Sequence, residues 1–181
     1  MISMVTGEQF AEKAVNGGYI GIPYSKLDCQ GFVERVLADC GVRKSNGTVY
    51  DWRGSNSMYR NYYQWRGTIS ECVKKFGFIP IGALVFTRKT DGGEKEKGYN
   101  DNLGNFVHVG IYVGDPHGVI HSTTGGVQWC KYPDKRWTNV TLLSMLDYSV
   151  QKDNNKEEIL KNISHIRELL EETERMVQNA L

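Results

Sequence analysis

A cysteine at the start of a predicted helix is the feature that most constrains this chain. Residues 28–33 read Asp-Cys-Gln-Gly-Phe-Val, and the apolar residues after them recur at the spacing of one helical face. Asp28 is a suitable N-cap and Gly41 a suitable end, so Cys29 is predicted to lie in the first turn. The positive end of the helix dipole favours the thiolate there, and the thiolate is the nucleophilic form of cysteine.

Two histidines fall on a predicted pair of strands. Residues 106–114 alternate as a strand that carries His108, and a shorter strand over residues 119–123 carries His121. A turn containing Gly and Pro joins them, so we expect antiparallel neighbours with the two imidazoles side by side. A thiol, an imidazole and a group that orients the imidazole are the parts that cysteine–histidine catalysis needs.

The alternation of the first strand also predicts its orientation. It places His108 on the same face as Gly110 and Tyr112. Because Cys29 has to reach His108, we expect this face to look toward the cysteine helix. Gly110 would then allow a close approach of helix and sheet that a bulkier residue would block.

The composition fits a small soluble protein of one domain with an extension. The 181 residues carry a formal net charge of +1, which gives no electrostatic case for nucleic-acid binding. The four cysteines lack the spacing of a zinc site, and we expect free thiols in a reducing compartment, with two disulfides as the alternative. No signal peptide is predicted at the N-terminus, and no apolar run reaches membrane-spanning length.

Two segments interrupt the simple pattern of helices and strands. Residues 42–67 form a polar and aromatic insert, and residues 88–105 form a charged, glycine-rich loop. The aromatic side chains of the insert either stack on the sugar rings of a glycan or form a small satellite core. They are Tyr50, Trp52, Tyr59, Tyr62, Tyr63 and Trp65.

The C-terminal segment is predicted to form a helix from about residue 155 to residue 179. Its apolar residues alternate at spacings of four and three, which is a heptad stripe of about three repeats. Such a stripe packs on its own domain, associates with a second copy or joins a further module, and the sequence leaves these three options open. The stripe consists of Ile159, Ile163, Ile166, Leu170, Thr173, Val177 and Ala180.

The motifs around these residues resemble those of the NlpC family of papain-like cell-wall cysteine peptidases. Residues 28–33 are similar to the family's Asp-Cys-Ser-Gly-Phe-Val signature, and residues 108–112, His-Val-Gly-Ile-Tyr, match its histidine motif. Three further motifs stand in the family's order. They are Gly21-Ile-Pro-Tyr24 at the entry to the signature, the strand Gly82-Ala-Leu-Val-Phe86, and Val119-Ile-His121-Ser122 in the place of the third catalytic residue.

The sequence also departs from the family pattern. Gln30 stands where the family has Ser, and Ala83 stands where it has Asp. The loop between Tyr24 and Cys29 lacks the Trp-Gly-Gly stretch that family members carry there. Together with the two inserted segments, these departures concern the substrate groove rather than the reacting groups.

The resemblance implies a papain-like α+β domain over residues 1–150, with N-terminal helices packed on an antiparallel sheet, and a helical extension over residues 151–181. It implies that Cys29 is the nucleophile, that His108 holds its thiolate as an ion pair, and that His121 orients His108. No metal and no organic cofactor is required. The candidate substrate-binding residues are Tyr24, Asp28 and Gln30.

The implied activity is hydrolysis of the peptidoglycan stem peptide after γ-D-glutamate. The nearest alternative is a related amidase that cuts between muramic acid and L-alanine. A non-catalytic phage or cell-wall assembly protein is a second alternative, and an intracellular thioester hydrolase or acyltransferase is a third. We expect synthesis in the cytoplasm without a signal peptide and access to the wall after lysis or by phage-mediated delivery, with no nucleic-acid or membrane partner.

Overall fold

A computed structural model of the chain describes residues 4–89, 99 and 101–179. The chain divides into two compact units, Met1–Tyr148 and Ser149–Leu181. In its described residues the first unit combines four helices with an antiparallel sheet, and the second consists of helix α5 (Ser149–Asn179). The described chain is therefore an α+β domain followed by a long helix, as the sequence predicts.

The sheet has six antiparallel strands in the order β1-β6-β2-β3-β4-β5. Its longest strand, β3, lies near the centre and pairs with β2 on one side and β4 on the other. The strands are β1 (Tyr63–Thr68), β2 (Leu84–Lys89), β3 (Asn105–Gly114), β4 (Gly118–Thr123), β5 (Gly126–Cys130) and β6 (Asn139–Leu143).

Helices α1 (Gly7–Asn16), α2 (Cys29–Asp39) and α3 (Ser55–Arg60) pack against β3, and α4 (Ile69–Phe76) packs against β1 and β6. These contacts create two separate hydrophobic clusters, because neighbouring residues of a strand point to opposite faces. Phe86 belongs to the cluster that contains α2, whereas its neighbour Val85 belongs to the other. The sheet is thus buried on both faces along β2.

The start of α2 confirms the prediction made from the sequence. Asp28 is the N-cap, and its carboxylate accepts a hydrogen bond of 2.6 Å from the N–H of Gly31. Such a cap contributes about 1 kcal/mol. Cys29 is the first helical residue, and the chain leaves the helix at Cys40 and Gly41, where Gly41 has a φ of 78°.

The predicted orientation of β3 is wrong. Val109 and Ile111 share a cluster with Cys29, whereas a Cβ on Gly110 would lie 3.1 Å from atoms of His121 and Trp137. The face that carries Gly110 therefore looks away from α2. The physical reason is that α2 buries its apolar side against the branched aliphatic residues of β3, and the glycine makes room for side chains on the opposite face.

The aromatic insert joins the two hydrophobic clusters of the domain rather than forming a satellite core, and its Trp65 packs on the cluster that contains Val85. Trp52 and Tyr59 are buried together with Phe86 and residues of α2, whereas Tyr62 and Tyr63 are exposed. Of the charged loop, residues 90–98 and 100 lie outside the described residues. The first two residues of that loop belong to β2, and its last residue belongs to β3.

The predicted C-terminal helix is present, and it begins at Ser149, before the expected start. Of the heptad stripe, Ile163, Ile166 and Leu170 are 42–58% exposed, and Thr173 is exposed as well. The side chains of Ile159 and Val177, and residue Ala180, lie outside the described part of the chain. Within the described residues no helix is both long and apolar enough to cross a membrane.

Candidate active site

The Cys29 thiol lies in a buried position that is rich in hydrogen-bond donors. Its side chain is 7% exposed, and the Tyr24 hydroxyl donates to Sγ at 3.8 Å. The main-chain N–H groups of Val109 and Gln30 also donate to the sulfur. Burial raises the pKa of the thiol above its ordinary value, these donors oppose the rise, and the Asp28 carboxylate adds to it. The sulfur is therefore protonated at neutral pH, although the sequence predicted that the helix start would favour the thiolate.

A gap in the sheet explains how the thiol reaches the backbone of β3. The β3–β4 ladder runs from the pair Gly114–Gly118 to the pair Ile111–Ile120 and has no pairing beyond it. The N–H of Tyr112 points to β2, since it donates to Ala83, and alternation turns the N–H of Val109 toward the β4 side. There the Cys29 sulfur accepts the bond that a strand would otherwise take.

The same gap is tied to the segment before α2. The hydroxyl of Ser122 on β4 donates to the carbonyl of Leu27 at 2.5 Å. This bond links β4 to the residues that lead into the Asp28 cap. The helix start is thus held between two strands that have separated, and that position brings Cys29 next to the strand that carries His108.

The two histidines meet as the sequence predicts. Nε2 of His108 lies 2.7 Å from Nδ1 of His121, and the planes of the two rings are inclined at 71°. Burial is the largest cause that lowers the pKa of each imidazole to about 4, and the charge of Arg136 contributes to the same shift. The proximity of His108 also lowers the pKa of His121, whereas Asp134 raises it. Both rings are neutral at pH 7, so a single proton is shared between the facing nitrogens.

The described residues include no hydrogen bond between the Cys29 sulfur and an imidazole. Because Nε2 of His108 faces His121, Nδ1 is the ring nitrogen left for another partner. The pKa directions correspond to a neutral thiol and a neutral imidazole rather than the expected ion pair. The structure therefore brings together the two histidines, and separately Cys29 with Tyr24 and Val109.

The candidate substrate-binding residues have different surroundings. The Tyr24 hydroxyl is at the thiol, and burial together with the neighbouring Cys29 raises its pKa to about 12, so it stays a donor. The carboxylate of Asp28 caps α2. The side-chain amide of Gln30 donates to Glu34 and to the carbonyl of Trp52 and accepts from the N–H of Gly54. A substrate contact for Asp28 or Gln30 stays a prediction.

Trp137 is a member of the site that the sequence did not reveal. Its indole stacks on the His108 ring with a centroid distance of 5.6 Å and an interplanar angle of 21°. It meets the His121 ring edge-on at 5.3 Å. Trp137 lies in the segment between β5 and β6, and no local pattern connects that segment with β3. The pairing of β6 with β2 brings the two regions together.

The segment around Trp137 also carries an ion pair. Nε of Arg136 lies 3.0 Å from a carboxylate oxygen of Asp134. Each of the four cysteines, all within the described residues, is a free thiol. Among the residues that the structure describes, no group of three or more His, Cys, Asp or Glu side chains is arranged to hold a metal ion.

Comparison with known proteins identifies the fold. No family model and no curated protein matches the sequence. A solved structure of NlpC1 from Trichomonas vaginalis matches with a TM-score of 0.50 and 17% identity, over 80% of this chain and 46% of that chain. The fold is papain-like. The chain spans less than half the length of the NlpC1 chain, and at this identity the likeness concerns the architecture alone.

Proposed function

We propose that the protein is a cysteine peptidase that hydrolyses the peptidoglycan stem peptide after γ-D-glutamate. Cys29 is the nucleophile, His108 the base and His121 the residue that orients it. The observation that carries the proposal is the His108–His121 contact at 2.7 Å, on a strand whose next residue, Val109, binds the Cys29 thiol. The papain-like fold and the motifs of the sequence support the same reaction class.

The first half of the reaction forms a thioester. Nδ1 of His108 takes the thiol proton, and Sγ of Cys29 attacks the carbonyl carbon of the γ-glutamyl residue. The tetrahedral intermediate collapses as the C–N bond breaks, and His108 gives its proton to the leaving amine. Because thiol and imidazole are both neutral at rest, proton transfer accompanies the approach of the substrate rather than preceding it.

The second half of the reaction restores the thiol. His108 takes a proton from water, the oxygen attacks the thioester carbon, and the C–S bond breaks with the proton returned to sulfur. In the proposed reaction two donors stabilise the oxyanion in both halves. One is the main-chain N–H of Cys29, a first-turn amide without an intrahelical acceptor, and the other is the Tyr24 hydroxyl.

Replacement of the nucleophile tests the proposal. We expect Cys29→Ala to abolish turnover of purified peptidoglycan while the protein keeps its fold. Mass spectrometry of the digests would show new free amines on the third stem residue with the wild type only. Cys40→Ala is the matched control, because Cys40 ends the same helix at a distance from the sulfur of Cys29.

Other products would assign other functions. New L-Ala amino termini in place of amines on the third residue would establish the amidase instead. Release from no wall type by a folded wild-type protein would contradict a wall hydrolase and leave the non-catalytic assembly role. Access to the wall after lysis or by phage-mediated delivery stays a prediction that these digests do not decide.

A further inference from the structure

The indole of Trp137 forms a wall against the histidine pair. It is 3% exposed and contacts both imidazoles, stacked on His108 and edge-on to His121. A Cβ on Gly110, the residue of β3 that follows Val109, would also lie 3.1 Å from this indole. The ring of His108 is thus confined between Trp137 and the hydrogen bond to His121.

We propose that Trp137 is a positioning residue of this site, whose indole face fixes the His108 ring with Nδ1 toward Cys29 and stabilises the imidazolium that forms when His108 takes the thiol proton. An aromatic face attracts a cation that lies over it, and the attraction is stronger where water is excluded. The inference rests on the proposed roles of Cys29 and His108.

The charged groups around the histidine pair disfavour a positive charge on His108. Arg136, on the same segment as Trp137, disfavours a positive charge on either ring, and its partner Asp134 compensates only at His121. On the α2 side the Asp28 carboxylate acts on the Cys29 thiol, and neither group is among those that shift the pKa of His108 or His121. Trp137 is therefore, besides the hydrogen bond to His121, the contact that stabilises charge on His108 before the substrate is present.

Alkylation of Cys29 by iodoacetamide tests the inference without any wall substrate. The rate follows the thiolate fraction, and mass spectrometry of the Cys29 peptide separates it from the other cysteines. We expect Trp137→Leu to slow alkylation at pH 7 about threefold to tenfold and to move the pH profile upward, because the cation–π contact is lost. Trp137→Phe, which keeps a weaker aromatic face, should give an intermediate rate.

Trp129→Leu is the matched control. Trp129 also stacks on a histidine, His117, but it lies on β5 and is 37% exposed. Its replacement should leave the alkylation profile unchanged. A wild-type profile for Trp137→Leu with a native circular-dichroism spectrum would overturn the inference. If Trp137→Leu does not fold, a wild-type alkylation profile for Trp137→Phe would overturn the inference instead.

Failure of the inference is distinguishable from failure of the proposed function. His108→Ala should also lower the alkylation rate if His108 takes the thiol proton. An unchanged rate in His108→Ala would contradict the proposed dyad itself. A reduced rate in His108→Ala with an unchanged rate in both Trp137 variants would contradict only the role of Trp137.

Discussion

The two groups that the proposed reaction uses, Cys29 and His108, rest in their uncharged forms. Burial raises the pKa of the Cys29 thiol and lowers the pKa of His108 to about 4, so the proton belongs to sulfur in the free protein. In the proposed reaction the transfer of that proton has to be made favourable by groups that contact the two partners. Tyr24 contacts the sulfur, and Trp137 contacts the imidazole.

Tyr24→Phe removes one of the donors to sulfur. Since that donor lowers the thiol pKa, we expect the pH profile of Cys29 alkylation to move to higher pH. If the hydroxyl also stabilises the oxyanion, kcat should fall by about a hundredfold with little change in KM. Stopped assays on muropeptides at several pH values measure both effects.

Tyr63→Phe controls for the loss of a phenol hydroxyl, because Tyr63 is exposed at the edge strand β1. An unchanged alkylation profile for Tyr24→Phe would mean that the 3.8 Å contact does not influence the sulfur. A changed profile with an unchanged kcat would restrict Tyr24 to the ground state of the thiol.

At the level of residues, the sequence predicted the position of Cys29 and the pairing of His108 with His121. Both follow from local rules, a helix cap in one case and strand alternation across a short turn in the other. The pKa directions of Cys29 and His108 run against the expected ion pair, because burial is set by residues far along the chain. Trp137 was missed for the same reason.

At the level of elements, the insert of residues 42–67 is attached to the first turns of α2. Glu34 accepts from the N–H of Trp52 at 2.6 Å, and Gln30 bonds both to Trp52 and to Gly54. Gln30 is therefore long enough to hold the insert next to Cys29, which the shorter Ser of the similar signature motif is not. These bonds give Gln30 a structural role.

Gln30→Ser shortens this side chain and should release the loop. We expect the free energy of unfolding to fall by about 1–3 kcal/mol, because the partly buried groups of the loop lose their partners. Urea denaturation followed by tryptophan fluorescence measures the change. Gln128→Ser is the control, since Gln128 is exposed and the one described hydrogen bond of its side chain goes to Thr123.

A loss in Gln30→Ser no larger than that in Gln128→Ser would contradict the anchoring role. The sequence could not have predicted the anchor, because an insert without periodicity does not indicate where its backbone docks. The orientation of β3 was predicted wrongly at this same level. Alternation assigns residues to two faces, but the packing of whole helices decides which face each helix covers.

At the level of the whole molecule, the histidine pair makes stability depend on pH. Each imidazole has a pKa of about 4 in the folded protein, below its ordinary value of 6.5. Between these values the unfolded chain binds more protons than the folded chain, so stability is complete above pH 6.5 and falls as the pH drops toward 4. The carboxylates with lowered pKa values, such as Asp101 and Asp39, act below this window.

We expect the melting temperature to decrease between pH 6.5 and pH 4, and His121→Gln to reduce the slope. Glu34, whose pKa is raised by burial, contributes with the opposite sign and is common to both proteins. Calorimetry in buffers of constant ionic strength measures the slope. Equal slopes for wild type and His121→Gln would contradict burial of a neutral pair.

The α+β architecture could be predicted almost completely from the sequence, because helix caps, alternation and turns are local. The boundary between the two compact units, Tyr148 and Ser149, lies close to the predicted end of the first domain. What covers the exposed apolar residues of α5 could not be predicted, since a heptad stripe indicates a helical partner without identifying it.

Because of the gap between β3 and β4, Cys29 also has a structural role as a hydrogen-bond acceptor at the edge of β3. Its sulfur stands where a neighbouring strand would supply a carbonyl to Val109. In the proposed reaction, acylation would withdraw electron density from that sulfur and weaken it as an acceptor. Each turnover would then weaken and restore the hydrogen bond from the N–H of Val109 to the Cys29 sulfur. Formation of the thioester would in this way change the bonding of the β3 backbone.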